Sequence, residues 1–213
     1  MWLGVVIYQS RFGSSMKKLL LLLAATLSFF DAQADYEPTL LSELIETSDL
    51  IFYGEIVAIQ KSTVTAKSVQ RIKGVNPNSE VAIDKFENWT CATRFAPYKV
   101  GQKAFFFLKK RKSANHYFAL GAANEGEIPA FNQKVYYQNQ YLSIDKNPRL
   151  FKVYGGAVRG YVYDKNQFIE ALKYYMKYRV ENRADIIHHQ ARIDTIHNPV
   201  LLRIFAELQP PRF

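Results

Sequence analysis

Three histidines, His188, His189 and His197, stand in one short segment, HHQARIDTIH, with Asp185 and Asp194 close by. Neutral imidazoles and carboxylates are ligands for zinc or copper, so this segment is the chain's candidate metal site. On a helix, Asp185 and His189 share a face while His188 points elsewhere, and neither HExxH nor a paired-cysteine spacing is present. Surface or packing histidines are the simpler reading. Cys91 is the sole cysteine; to act as a nucleophile it needs a thiolate and a base, and Trp89-Thr90-Cys91-Ala92 offers no such signature, so a buried inert thiol is expected. Glu125 and Glu127 lie two apart in a glycine-containing stretch and could flank a sugar ring, although neighbouring loop acids are expected to face solvent. There is no GxSxG, P-loop or dinucleotide fingerprint. Gly155-Gly156 precedes a strand pattern rather than a helix and so cannot serve as a phosphate cradle. A catalytic set is not legible, and no cofactor is implied.

Two further groups of residues point to binding. Lys109-Lys110-Arg111-Lys112 is the one true basic cluster, and it has the composition of a solvated hairpin end. Fifteen phenylalanines and fourteen tyrosines in 213 residues exceed what a core of this size needs, and Tyr136, Tyr137, Tyr141, Tyr161 and Tyr163 fall on strand edges and hairpins. Exposed rings with lysines beside them could stack sugar rings or bases. Tyr136, Tyr137, Lys109, Lys110 and Arg111 are therefore the candidate ligand-binding residues; the competing reading is that the rings cover the sheet and dock helices.

Met16 to Ala34, MKKLLLLLAATLSFFDAQA, combines two lysines, an apolar run and an Ala-Gln-Ala site, the pattern of a cleavable export signal. The run is shorter than the ~20 residues a spanning helix needs. Residues 1–34 are thus expected to be an upstream extension plus signal, with Met16 as the start, and residues 35–213 a single soluble mature domain in the periplasm or outside the cell. No transmembrane anchor is expected after cleavage. The formal charge of +9 becomes +7 when Arg11, Lys17, Lys18 and Asp31 leave with the signal. A basic exported protein suits a partner protein or an envelope polymer, and no specific nucleic acid is implied. With one cysteine no internal disulfide can form, so the core must hold by burial.

The positioning elements begin with a short helix in TLLSELIETSD, where Leu40, Leu41, Leu44 and Ile45 recur at helical spacing and Thr39 and Ser42 are candidate N-caps. LIFYGEIVAI then reads as a long strand, too continuously apolar to be wet on one face, with Gly54 marking a bulge. In Thr63–Lys73 Val69 breaks the period of two, which calls for a second bulge. Val81–Phe86, Ala104–Leu108 and His116–Gly121 are further strands, the last two forming a hairpin across the basic turn. Gly126 and Pro129 punctuate an expected loop. Lys134–Tyr137 and Gln140–Ile144 read as a hairpin, and Ala157–Tyr163 as a strand. Asp164 and Gln167 form a capping box for a helix with the stripe Phe168, Leu172, Tyr175 and Met176. A last helix has Asn198 as N-cap, Pro199 in its first turn and Pro210-Pro211 as its stop. The class is mainly β, or α+β: a five-stranded antiparallel barrel with a short N-terminal helix, an extra hairpin and C-terminal helices.

The succession SDLIFYGEIVAI, RIKG, EVAIDKF, Cys91 and YKVGQKAFFFL resembles the netrin-like domain of the tissue inhibitors of metalloproteinases and their bacterial secreted relatives. It spans about residues 40–122. The resemblance implies an oligonucleotide/oligosaccharide-binding (OB) type barrel there, with residues 123–213 as a hairpin and helical extension. It does not carry the inhibitory chemistry, which relies on an N-terminal cysteine chelating the protease zinc: signal cleavage would expose Asp35, and Cys91 stands alone. The expectation is a non-enzymatic exported binding protein. The alternatives are an envelope hydrolase or metal enzyme using the histidine segment, and binding of an anionic or sugar polymer through lysines and tyrosines.

Overall fold

A computed structural model describes residues 38–74, 76–89, 92–112, 115–122, 124–138, 148–181 and 197–207, all within one compact unit, Glu37–Phe213. The chain runs α1 (Leu41–Thr47), β1 (Leu50–Ile59), β2 (Thr63–Lys73), β3 (Glu80–Asp84), β4 (Lys103–Lys110), β5 (Tyr117–Ala119), β6 (Glu127–Phe131), β7 (Lys134–Tyr137), β8 (Arg149–Val153), β9 (Gly156–Asp164), α2 (Lys165–Glu181) and α3 (Pro199–Glu207). β1, β2, β3, β5 and β4 close on themselves: β1 pairs with β4, and a parallel bridge between Ile83 and Tyr117 joins β3 to β5. This closed five-stranded barrel has an order compatible with an OB-type fold.

The continuous apolar run of β1 has a direct explanation, because the strand is buried on both faces. Leu50, Phe52 and Ile56 point into the barrel with Ala104, Phe106 and Leu108 of β4. Ile51 and Tyr53, with Phe105 and Phe107, point outward into a second core beneath the helices. Phe52 stacks on Phe106 at 5.2 Å, and Phe105 meets Phe168 of α2 at 4.8 Å. The two expected bulges are a single irregularity: between Tyr53/Gln70 and Gly54/Ser68 the register skips Val69, so the extra residue belongs to β2, beside Gly54, and it stands 51% exposed. At Gly54 a Cβ would lie 2.6 Å from the Phe52 ring and 2.7 Å from the Lys67 carbonyl oxygen, so the strands meet only because the side chain is missing. Gly54→Ala is expected to cost about 1–3 kcal/mol of stability, read as a lower denaturant midpoint at unchanged slope.

β4 divides its second edge: Leu108–Lys110 pairs with β5, while Lys103–Phe106 pairs with β6. β6 then leads through β7 and β9 to β8, a wing that shares the barrel's own strand. The stretch around Gly126 and Pro129 is thus strand β6 rather than the expected loop. Its composition signals a break locally, yet a proline is tolerated in a strand where its nitrogen faces no ladder bond, and pairing to β4 and β7 is a non-local gain. Lys134–Tyr137 is a strand as expected, paired with β6 and β9. Its expected hairpin partner, Gln140–Ile144, lies outside the described residues, as do Pro210 and Pro211.

The helices cover the outer face of the wing and barrel. Asp164 Oδ1 accepts the Asn166 and Gln167 amides at 2.9 and 3.3 Å, and Asn198 Oδ1 accepts those of Val200 and Leu201 at 3.0 and 3.2 Å, so Asp164 and Asn198 cap the N-termini of α2 and α3. At α1 the N-cap is Leu40, not Thr39 or Ser42. Its side chain cannot accept a bond. The amides of Leu41 and Ser42 instead donate to Glu207 Oε2, 2.9 and 3.4 Å away at the end of α3. The two ends of the described fold are locked together by a cap supplied from 165 and 166 positions away.

Candidate functional site

At one end of the barrel the β1–β2 turn, the segment leaving β3 and the β4–β5 hairpin enclose a groove of about 630 Å³. Lys85 holds the first wall: its amide donates to the Ser62 carbonyl at 2.9 Å, and its ammonium to the carbonyls of Gln60 and Lys61. Asp84, the last residue of β3, holds the second. Its Oδ2 accepts Arg111 Nε at 2.6 Å and its Oδ1 accepts His116 Nε2 at 2.9 Å. The hairpin is closed by the Arg111 amide donating to the His116 carbonyl at 3.0 Å. Arg111 lies 5.2 Å from the centre of the Phe118 ring. Asp84 and His116 came from unremarkable strand ends; nothing in their local sequence marks them, because the barrel closure that joins β3 to β5 is what brings them together.

Phe86 also lines a neighbouring, more apolar cavity of about 410 Å³ between Asn88 and Tyr98. Arg94 lines it and forms a buried ion pair with Glu127, their side chains only 3% and 4% exposed. Arg94 Nε donates to Glu127 Oε2 at 3.1 Å, one Nη to Gln102 Oε1 at 3.0 Å, and the other to the Ala96 carbonyl. The guanidinium is stacked between Phe95 and Tyr98, 4.2 and 3.7 Å from their ring centres. The Tyr98 hydroxyl donates to Glu127 Oε2 at 3.0 Å and accepts the Phe86 amide at 2.9 Å. Burial, reinforced by the Glu127 charge, pushes the Tyr98 phenol well above its ordinary value. Glu125 is buried too, its Oε2 accepting the amides of Thr39 and Ala122 at 3.3 and 3.0 Å. Neither acid faces solvent as expected for loop carboxylates: both enter the fold because their positive and amide partners arrive from distant segments, which satisfies charges that burial would otherwise penalise.

A third polar cluster underlies the wing. Glu207 accepts the α1 amides, lies 3.7 Å from Arg203 Nε and accepts the Tyr137 hydroxyl at 3.4 Å. Arg203 sits 4.2 Å from the centre of the Tyr161 ring. Burial raises the Glu207 carboxyl to about 7, against the pull of the Ser42 and Leu41 amides, Arg203 and the Tyr137 hydroxyl.

The candidates read from sequence are scattered. Arg111 lines the groove. Lys109 is turned to the other side of the hairpin, donating to the Thr47 carbonyl at 2.9 Å and lying 3.9 Å from Asp49, while the Lys110 amide donates to Asp49 Oδ2 at 2.8 Å. Tyr136 is half-buried and packs against Phe151 at 5.7 Å. Tyr137 is 2% exposed beneath α3. His197 is exposed at the start of α3, and His188, His189 and Cys91 lie outside the described residues; among the described residues no three His, Cys, Asp or Glu side chains gather as metal ligands. Comparison with protein-family models, with curated proteins and with solved structures returned no match.

Proposed function

We propose that the protein is an exported, non-enzymatic binding module of netrin-like type that holds its ligand in the groove at the end of the barrel. The observation that carries this reading is how the ionisable side chains in and behind the two cavities are used. Asp84 is held between Arg111 and His116, and Glu127 between Arg94 and Tyr98. These groups fix walls; they do not converge on a free point where a reacting atom could sit. What faces the open groove is a set of rings and hydrogen-bonding groups, which suits recognition. The netrin-like resemblance adds support, since its residues make up the barrel strands and the loop leading into β4.

A hydrolase reading has one specific support: His116, bonded to Asp84, shares the groove with Ser62. Against it, the Asp84 carboxylate is shared with Arg111 and is not reserved for orienting the imidazole. The two readings separate by capture of envelope material on immobilised mature protein, with analysis of released fragments. Retention is expected to fall at least about fivefold in Phe118→Ala, with no fragments released. Retention unaffected by groove substitutions, or steady release of fragments, would overturn the proposal.

A further inference from the structure

We infer that the groove recognises an uncharged polyhydroxylated chain, a neutral glycan, and not the polyanion that the chain's basic charge suggests; this deepens the binding reading above and rests on it. Of the basic run only Arg111 lines the groove, and the two members held by acids are Lys109 and Arg111. Lys109 is committed to Thr47 and Asp49 on the far side of the hairpin, and Arg111 is tied to Asp84. The ammonium of Lys85 is engaged by the carbonyls of Gln60 and Lys61. Against Lys85 and Arg111 the lining sets two acids, Asp84 and the exposed Glu87, so the groove is balanced in charge although the chain is +9. A phosphate or sulfate entering it meets two carboxylates at short range, and like charges close together in a partly desolvated cleft repel.

The remaining groups have the opposite fitness for a sugar. Ser62 both donates and accepts, Glu87 accepts, and the Arg111 guanidinium has N–H groups beyond the Nε it gives to Asp84. His116, with Nε2 on Asp84, keeps its second nitrogen for a ligand when neutral. A ring of hydroxyls, each donor and acceptor at once, can satisfy such a mixed set, whereas an anion offers acceptors alone. Phe86 and Phe118 supply flat apolar faces for the C–H side of a pyranose, and about 630 Å³ falls in the range of ligand clefts, roughly 300–1,000 Å³.

The test is calorimetry of the intact mature protein with cellohexaose, xylohexaose and chitohexaose, beside dextran sulfate and oligo-dT, at about 50 and about 500 mM salt. At least one uncharged hexasaccharide is expected to bind with less than about twofold change across that range, whereas polyanion contacts would weaken steeply with salt. Phe118→Ala and, as a rim change that disturbs no packing, Glu87→Ala should each weaken it about fivefold or more. Binding of dextran sulfate or oligo-dT alone would overturn the inference. If no hexasaccharide binds while Phe118→Ala still abolishes envelope capture, the glycan assignment falls and the binding reading survives. If capture is also indifferent to the groove, both fall. Cleavage of a bound hexasaccharide would uphold the ligand class and overturn the non-enzymatic reading.

Discussion

Arg94→Ala is expected to destabilise the protein by about 3–5 kcal/mol, the range for stripping one partner from a buried ion pair. In a chain of 213 residues that is a fall in Tm of roughly 10 °C. The loss exceeds one bond because the guanidinium serves Glu127, Gln102 and the Ala96 carbonyl at once and fills the space between Phe95 and Tyr98. Glu127 would be left charged with only the Tyr98 hydroxyl to answer it. The double change Arg94→Met with Glu127→Leu removes both charges and should recover most of the loss, since a buried pair gains little over apolar packing of similar volume. Equilibrium denaturation of the parent and the two variants decides it; a single variant within about 1 kcal/mol of the parent would show that the pair does not hold the β3–β4 connection to β6.

The second large effect is a pH dependence centred on Glu207. Unfolded, this carboxyl titrates near 4.5; in the fold it titrates at about 7, chiefly because α1, α3 and the wing bury it. The folded state therefore holds the proton more tightly, and the associated stability is fully present below pH about 4.5 and lost as pH rises through 7. Between pH 5 and pH 8 the loss is about 2–3 kcal/mol. Glu207→Gln keeps an oxygen for the Leu41 and Ser42 amides and carries no titrating proton, so the stability difference between parent and variant should shift by that amount over the same interval. A difference that stays constant across it would mean that the C-terminal helix caps α1 without titrating. The same contact explains why α1 forms behind a leucine N-cap: the carboxylate meets both the free amides and the positive end of the helix.

Much of the scaffold was legible in order along the chain. The doubly buried β1 and β4, the bulge of Val69 beside Gly54, the hairpin across Lys109–Lys112, and the caps at Asp164 and Asn198 are all local patterns: periodicity, a missing side chain, a capping residue at fixed spacing. β6 is not legible in this way, because its glycine and proline speak locally for a loop, whereas the decision to form a strand belongs to β4 and β7. The candidate site was barely legible. The charge of Arg111 is plain in the sequence, but its partner, Asp84, comes from a strand 27 positions away. Tyr137 has the local setting of a displayed ring, and is covered by a helix starting some sixty residues later.

By itself the sequence determined the mainly β class, the element order and the two-faced burial of the central strands, because hydrophobic period and turn chemistry are written within windows of a few residues. Only the tertiary structure decided which charges are spent on structure and which are left to meet a ligand. That choice depends on partners far apart in sequence, Asp84 with Arg111 and His116, Arg94 with Glu127, Glu207 with the start of α1, and on the cost of burying a charge, which forces each to find its counterpart before the fold can close.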